Sequence, residues 1–198
     1  MTTVLLIRHA NNDLVGKTIA SWMPGVHLNE EGRVQANRLA GRLENVSLRA
    51  IYCSPLERAL ETAQPVARKL DLPVQIREEL GEVRFGDWTG CTIADLDRTP
   101  LWQRFNAYRS GTRAPNGELM LESQVRIVNA IEAMRAAHSG ECIAVVSHGD
   151  VIRAALVYYL GMAMDNFHRI EISPASITTV ELNDWGVRVL ALNDTGRY

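Results

Sequence analysis

The chain has 198 residues, 46% hydrophobic and 22% charged, the usage of a globular protein able to bury a core. This excludes whole-chain disorder and suits one α/β domain over 1–198. Lys and Arg number 21 against 23 Asp and Glu, a net charge of −2, so bulk charge offers nothing for non-specific nucleic-acid binding.

The three cysteines, Cys53, Cys91 and Cys142, contain no CxxC pair and read as thiols in a reducing compartment. The apolar run near the start covers only Val4 to Ile7, with no basic residues before it. That is too short for a signal peptide or a membrane span, so a soluble cytoplasmic protein without a membrane partner is expected. Homo-oligomerisation stays open.

Taken in chain order, Val4–Ile7 predicts a strand covered on both faces, ending abruptly in polar Arg8 and His9. Residues 29–44 predict a helix with Asn29 as N-cap, Glu30 and Glu31 in its first turn, and Val34, Leu39 and Leu43 inward. Ala50–Cys53 predicts a second strand ending at Ser54. A helix over 56–70 follows, with Pro55 as its first helical residue. Val74–Ile76 predicts a short third strand. Residues 81–90, with three glycines, predict a loop, and 91–115 one or two short helices in a flap.

Residues 118–137 predict a long helix with Val125, Val128, Ile131 and Met134 on one face. Cys142–Val146 predicts a fourth strand, ending at Ser147-His148-Gly149-Asp150, with a helix over 151–160 beyond it. Residues 177–182 and 187–192, joined by Asn183-Asp184-Trp185-Gly186, predict a hairpin. The alternation implies a three-layer α/β/α sandwich around a mostly parallel sheet, with one antiparallel edge strand from the hairpin.

Three strands therefore end in Arg8-His9, in Ser54 leading to Arg58, and in Ser147-His148. Ligands of parallel sheets bind beyond the carboxyl ends of the strands, so these residues should meet. Guanidinium forks match phosphate or carboxylate oxygens. A neutral imidazole can attack phosphorus, and a second, protonated histidine can stabilise the transferring group. A catalytic metal is not expected, because the arginines beside His9 would repel it and no ligand spacing such as HExxH is present. His27, His138 and His168 carry no motif and read as surface or turn residues. Trp88, Trp102, Phe105 and Tyr108 suit either a pocket wall or packing of the flap.

With LIRHA at 6–10, SPLERALET at 54–62, LGEVRFGDWTG at 80–90 and SHG at 147–149, the sequence resembles the histidine phosphatase superfamily, which includes the phosphoglycerate mutases. The resemblance implies a phosphoglycerate mutase-like fold and no cofactor. It implies His9 as the phosphorylated nucleophile, Arg8, Arg58 and His148 as phosphate ligands, and Glu82 as the proton donor, with Glu78 and Glu79 close by. The family glycine after the histidine is Ala10 here. Its usual asparagine position is Val15, which leaves Asn11 or Asn12 to supply an amide. Thr89 and Leu119 also depart from the pattern.

The expected function is hydrolysis of a small phosphorylated metabolite through a covalent phosphohistidine. A mutase-type isomerase is the alternative, and a non-catalytic phosphate-binding module a third. Family mutases place an arginine and a tyrosine on the substrate carboxylate where this chain has Val83 and Phe85, which favours the hydrolase.

Overall fold

The computed structural model describes residues 1–196. Its strands are β1 (Thr2–Arg8), β2 (Leu48–Cys53), β3 (Val74–Ile76), β4 (Cys142–Ser147), β5 (Ile177–Asn183) and β6 (Gly186–Asp194). Its helices are α1 (Glu30–Leu43), α2 (Glu57–Leu70), α3 (Ile93–Leu96), α4 (Pro100–Ala107), α5 (Met120–Ala137) and α6 (Gly149–Tyr159). The six strands form one sheet in the order β3-β2-β4-β1-β5-β6. The first four are parallel, while β5 runs antiparallel to β1 and β6 antiparallel to β5. The hairpin thus supplies two antiparallel strands rather than the single one expected, because β5 docks on β1 along its whole length and β6 becomes the edge.

Both faces of β1 are covered, as a continuous apolar run requires. Leu5 and Ile7 pack with α1 and α2 through Leu39, Leu43, Ala63 and Val66. Val4 and Leu6 face the opposite cluster, which includes Ile127, Ile131 and Met134 of α5 and much of α6. The flap contributes Trp88, Trp102 and Phe105 to this second cluster, where they pack edge-on and stacked.

Asn29 caps α1, its side chain accepting from the Gly32 N–H at 2.9 Å. Three local expectations are corrected. Val34 is 46% exposed and Val125 is 58% exposed. The buried stripes instead follow Ala36, Leu39, Ala40 and Leu43 in α1, and Met120, Ser123, Ile127, Ile131 and Met134 in α5. Pro55 is not the first helical residue of α2, which begins at Glu57 after an extended Leu56. There the Ser54 hydroxyl accepts the Leu56 N–H at 3.3 Å, which turns the chain before the helix starts. No helix among the described residues is long and apolar enough to cross a membrane.

The stripe of α5 can be tested by truncation. Ile131→Ala should cost about 2–5 kcal/mol in denaturant unfolding, the range for deleting buried aliphatic side chains. Val125→Ala should stay within about 0.5 kcal/mol of wild type.

Candidate active site

The parallel register builds the site. Arg8 lies opposite Ser147, and Cys53 opposite Val146, so the chain leaves β1, β2 and β4 at one level. His9, Ser54 and His148 follow side by side. The His9 Nδ1–H donates to the Ala10 carbonyl at 2.8 Å, which leaves Nε2 as the free nitrogen. Burial, with Arg58 and then Arg8 adding to it, holds His9 well below the usual histidine range, so the ring is neutral. The centroids of the His9 and His148 rings are 5.2 Å apart.

Arg58 is 1% exposed and donates through Nη2 to the Ser21 carbonyl at 2.7 Å. Arg8 donates through Nη1 to the Ile172 carbonyl at 2.6 Å. Its guanidinium runs so close to Gly149 that a Cβ there would sit 3.1 Å from Arg8 Nε, which accounts for glycine after His148. Ser54 Oγ lies 2.7 Å from His148 Nε2. With the Leu56 N–H accepted, that hydroxyl has its own proton to give to Nε2, and in that arrangement His148 Nδ1 carries the ring proton. Burial, Arg58 and His9 hold His148 well below the usual range. The protonated second histidine expected from sequence is therefore a neutral donor in the free protein. Arg8 Nε, Arg58 Nη1 and His148 Nδ1 are all buried without a hydrogen-bond partner. Such groups are costly unless something accepts from them; Arg8 and Arg58 line one cavity with His9, and the His148 ring packs beside that of His9.

Glu82 approaches from the glycine-bearing loop, its Oε2 3.8 Å from His148 Nδ1, with a side chain 15% exposed. Its Oε1 accepts the Val83 N–H at 2.9 Å. Burial, then Asp150, push its carboxyl up to about 7 against the pull of Arg58. Glu78 and Glu79 lie in a short 3-10 turn, are exposed and do not line the cavity.

The loop is held from several sides, and Arg126 and Trp22 carried no signal in the sequence. Arg126 of α5 donates to the carbonyls of Glu79 at 2.6 Å and Gly81 at 2.9 Å. Trp22 Nε1 donates to the Glu82 carbonyl at 2.6 Å, and Ser147 Oγ to the Leu80 carbonyl at 2.7 Å. Glu118 takes the Arg84 N–H at 2.8 Å and pairs with Arg126 at 3.2 Å. This role keeps Glu118 out of α5, although the helix was expected to begin there.

The cavity above His9 is about 360 Å³. Asn12 lines it, but Asn11 does not. The Asn11 amide turns outward to Glu31 at 2.7 Å, and its oxygen accepts the Asn12 N–H, so of the two candidate amides only Asn12 stands at the cavity. Phe85 and Trp102 form part of the wall, while Val83 is buried in the core. Tyr108 is exposed. His168, read as a plain surface or turn residue, stands at the cavity with Asp150, Arg109 and Asn106. Asp150 adjoins the SHG motif and could have been read from it. Arg109 could not, among the scattered arginines of 91–115.

A family model described as the histidine phosphatase superfamily (branch 1) matches residues 4–195. The chain belongs to that superfamily. It is 30% identical to the bifunctional protein Rv2228c of Mycobacterium tuberculosis over 98% of this chain and 54% of that protein, so it spans about half the length of that relative. It is 28% identical to phosphoserine phosphatase 1 of Hydrogenobacter thermophilus, over 98% of this chain and 93% of that one. The solved structure of Bacillus stearothermophilus YhfR superposes with a TM-score of 0.92 at 29% identity, covering 98% of both chains.

The Glu82 environment makes a pH prediction. A proton donor raised to about 7 is lost as pH rises through that value, so kcat/KM should fall above neutrality. Asp150 raises the Glu82 carboxyl, so Asp150→Asn should move this descending limb to lower pH. A pH–rate profile of the two proteins checks it, and an unmoved limb would assign the limb to another group.

Proposed function

We propose that this chain is a phosphomonoester hydrolase acting on small phosphorylated metabolites through a covalent phosphohistidine. The observation that carries the reading is the set of three buried, unpartnered donors, Arg8 Nε, Arg58 Nη1 and His148 Nδ1, on residues that cluster with a neutral His9 whose Nε2 is free. In the first step His9 Nε2 attacks phosphorus in line. The P–N bond forms, the ester P–O bond breaks, and Glu82 gives its proton to the departing oxygen. In the second step the Glu82 carboxylate takes a proton from water, which attacks phosphorus. The P–N bond breaks and inorganic phosphate leaves. Arg8, Arg58 and the His148 Nδ1–H hold the phosphoryl oxygens through both steps, in a setting where fixed donors act strongly on developing charge.

The name of the Hydrogenobacter relative supports hydrolysis of a small phosphorylated compound. A cavity of about 360 Å³ is of the size that small ligands occupy. Free thiols at Cys53, Cys91 and Cys142 fit a cytoplasmic setting. A mutase-type reaction would need polar carboxylate ligands where Val83 lies in the core and Phe85 packs on Phe105 at 6.0 Å.

His9→Ala should abolish turnover while the far-ultraviolet spectrum is unchanged. Acid-labile phosphate trapped from substrate on the wild type should map to His9, and trapping on His148 would overturn the assignment.

Glu82→Gln should slow hydrolysis of an alkyl phosphate by about 10²–10⁴-fold. p-Nitrophenyl phosphate, whose leaving group is stable as an anion, should lose far less. Equal losses would make Glu82 a positioning residue. With 3-phosphoglycerate, phosphate release should outrun formation of 2-phosphoglycerate, and the reverse order would make the chain a mutase.

A further inference from the structure

In the proposed reaction His9 attacks through Nε2, which requires its ring proton to stay on Nδ1 and its ring plane to stay fixed. Both rest on one acceptor, the Ala10 carbonyl at 2.8 Å. That carbonyl belongs to the peptide unit joining Ala10 to Asn11. The other end of the same unit, the Asn11 N–H, donates to Gln35 Oε1 of α1 at 2.9 Å. The Gln35 amide donates in turn through Nε2 to Glu31 Oε1 at 3.0 Å. An unbroken line of hydrogen bonds therefore runs from the His9 ring, through a peptide unit and a side-chain amide, to a carboxylate.

The chemistry of the groups fixes the direction of every bond. A backbone N–H only donates and a carboxylate accepts, so Gln35 must turn its oxygen to Asn11 and its nitrogen to Glu31. The bonds are thus oriented head to tail, and such chains polarise their members. Density is drawn toward the Ala10 oxygen, which strengthens the acceptor that the His9 Nδ1–H meets.

The local fold is shaped to this line. Glu31 and Gln35 are four residues apart in α1 and so share a face. A Cβ on Gly32 would sit 2.0 Å from the Asn11 carbonyl oxygen, so glycine there lets the helix reach the segment after His9. The Asn29 N–H donates to the same oxygen at 3.3 Å, and Asn11 Nδ2 to the second oxygen of Glu31 at 2.7 Å. From the other side, Thr62 Oγ1 accepts the Ala10 N–H at 2.8 Å, and the Ala175 N–H donates to the His9 carbonyl at 3.3 Å. Both peptide units flanking Ala10 are therefore held, and among the described residues only His9 donates to the Ala10 carbonyl.

We propose that Gln35 is a positioning residue that, backed by Glu31, holds the Ala10–Asn11 peptide unit so that His9 keeps the Nδ1–H tautomer and an aligned Nε2. For its effect on rate this rests on the hydrolase reading above. The state of the His9 ring, by contrast, is read in the free protein without substrate.

Three proteins test it: the wild type, Gln35→Met, and the exchange carrying Glu31→Gln and Gln35→Glu together. Gln35→Met keeps the length of the side chain and removes both ends of its amide. The exchange keeps an acceptor facing Asn11 and a donor facing it from position 31. With p-nitrophenyl phosphate, whose leaving group needs no proton from Glu82, Gln35→Met should lower kcat/KM by about 10²-fold, the scale of a small misplacement of a reacting group. The inhibition constant of inorganic phosphate should stay within about twofold of wild type, because the donors that hold the anion are untouched. The exchange should be at least about tenfold faster than Gln35→Met, the non-additivity expected of partners in one line. Side-chain ¹⁵N spectra of the free proteins, with His9 assigned from its loss in His9→Ala, should show a protonated Nδ1 and bare Nε2 in the wild type and a shift toward mixed tautomers in Gln35→Met.

A rate in Gln35→Met close to wild type, unchanged His9 signals, or an exchange as slow as Gln35→Met overturns the proposal. A phosphate constant that weakens in step with the rate makes Gln35 a structural residue and overturns it as well. Should Gln35→Met fail to fold, Glu31→Ala, at an exposed position, should move the His9 signals the same way, and unmoved signals overturn the proposal. A wild type that turns over no phosphate ester overturns the hydrolase reading, while the ¹⁵N spectra still decide on Gln35.

Discussion

Two guanidiniums in one cavity, neither within ion-pair distance of a carboxylate among the described residues, are the constraint on which the rest of the site depends. Arg58 is buried and Arg8 half-buried, and both spend part of their donor capacity on backbone carbonyls. The remaining capacity points inward. Burial first, with the charge of Arg58 and Arg8 added to it, keeps His9 and His148 neutral, which leaves a free nitrogen on one ring and an N–H on the other. Burying cations without anions, where water is excluded, thereby favours neutral histidines and an anionic ligand.

Glu82 answers to a different environment a few ångströms away. Burial and Asp150 push its carboxyl up, while Arg58 pulls it down, and the balance lies near neutrality. A neutral imidazole beside a protonated carboxyl is the pairing that nucleophilic attack with leaving-group protonation requires, and two groups driven to opposite roles by their surroundings mark such a pair. The backbone of the acid loop is correspondingly well tied. Arg126, Trp22 and Ser147 take carbonyls along residues 79–82, and Gly86 and Gly117 allow the loop to meet the 115–118 segment so closely that a Cβ on either would come within 2.2 Å of a backbone oxygen. In the proposed reaction this carboxyl gives its proton to a leaving oxygen and needs its position held, and the ties come from three separate parts of the chain.

The sheet and its layers were legible in the sequence because their signals are local. Val4–Ile7, Ala50–Cys53 and Cys142–Val146 are continuous apolar runs, and Asn29 is a cap residue before a helical period. The convergence of Arg8, His9, Arg58 and His148 followed from one topological rule, that parallel strands share an end, and the register of β1, β2 and β4 realises it. What failed was equally local. Val34 and Val125 fit a helical spacing, but which stripe turns inward is set by the sheet the helix packs on, and both face outward. The choice between Asn11 and Asn12 was beyond pattern reading, since adjacent residues diverge and the partners that separate them, Glu31 and Gln35, belong to α1.

The sequence by itself therefore determined the sheet, the strand-end cluster and the chemical type of its residues. These follow from hydrophobic period and from motifs a few residues long. Only the tertiary structure decided the tautomers of His9 and His148, the elevation of Glu82, the ties through Arg126 and Trp22, and the placing of Arg109 between Phe105 and Phe167. Each depends on contacts between residues tens of positions apart and on how far water is excluded from them. Burial and distance of that kind are properties of the packed chain and have no counterpart in local spacing.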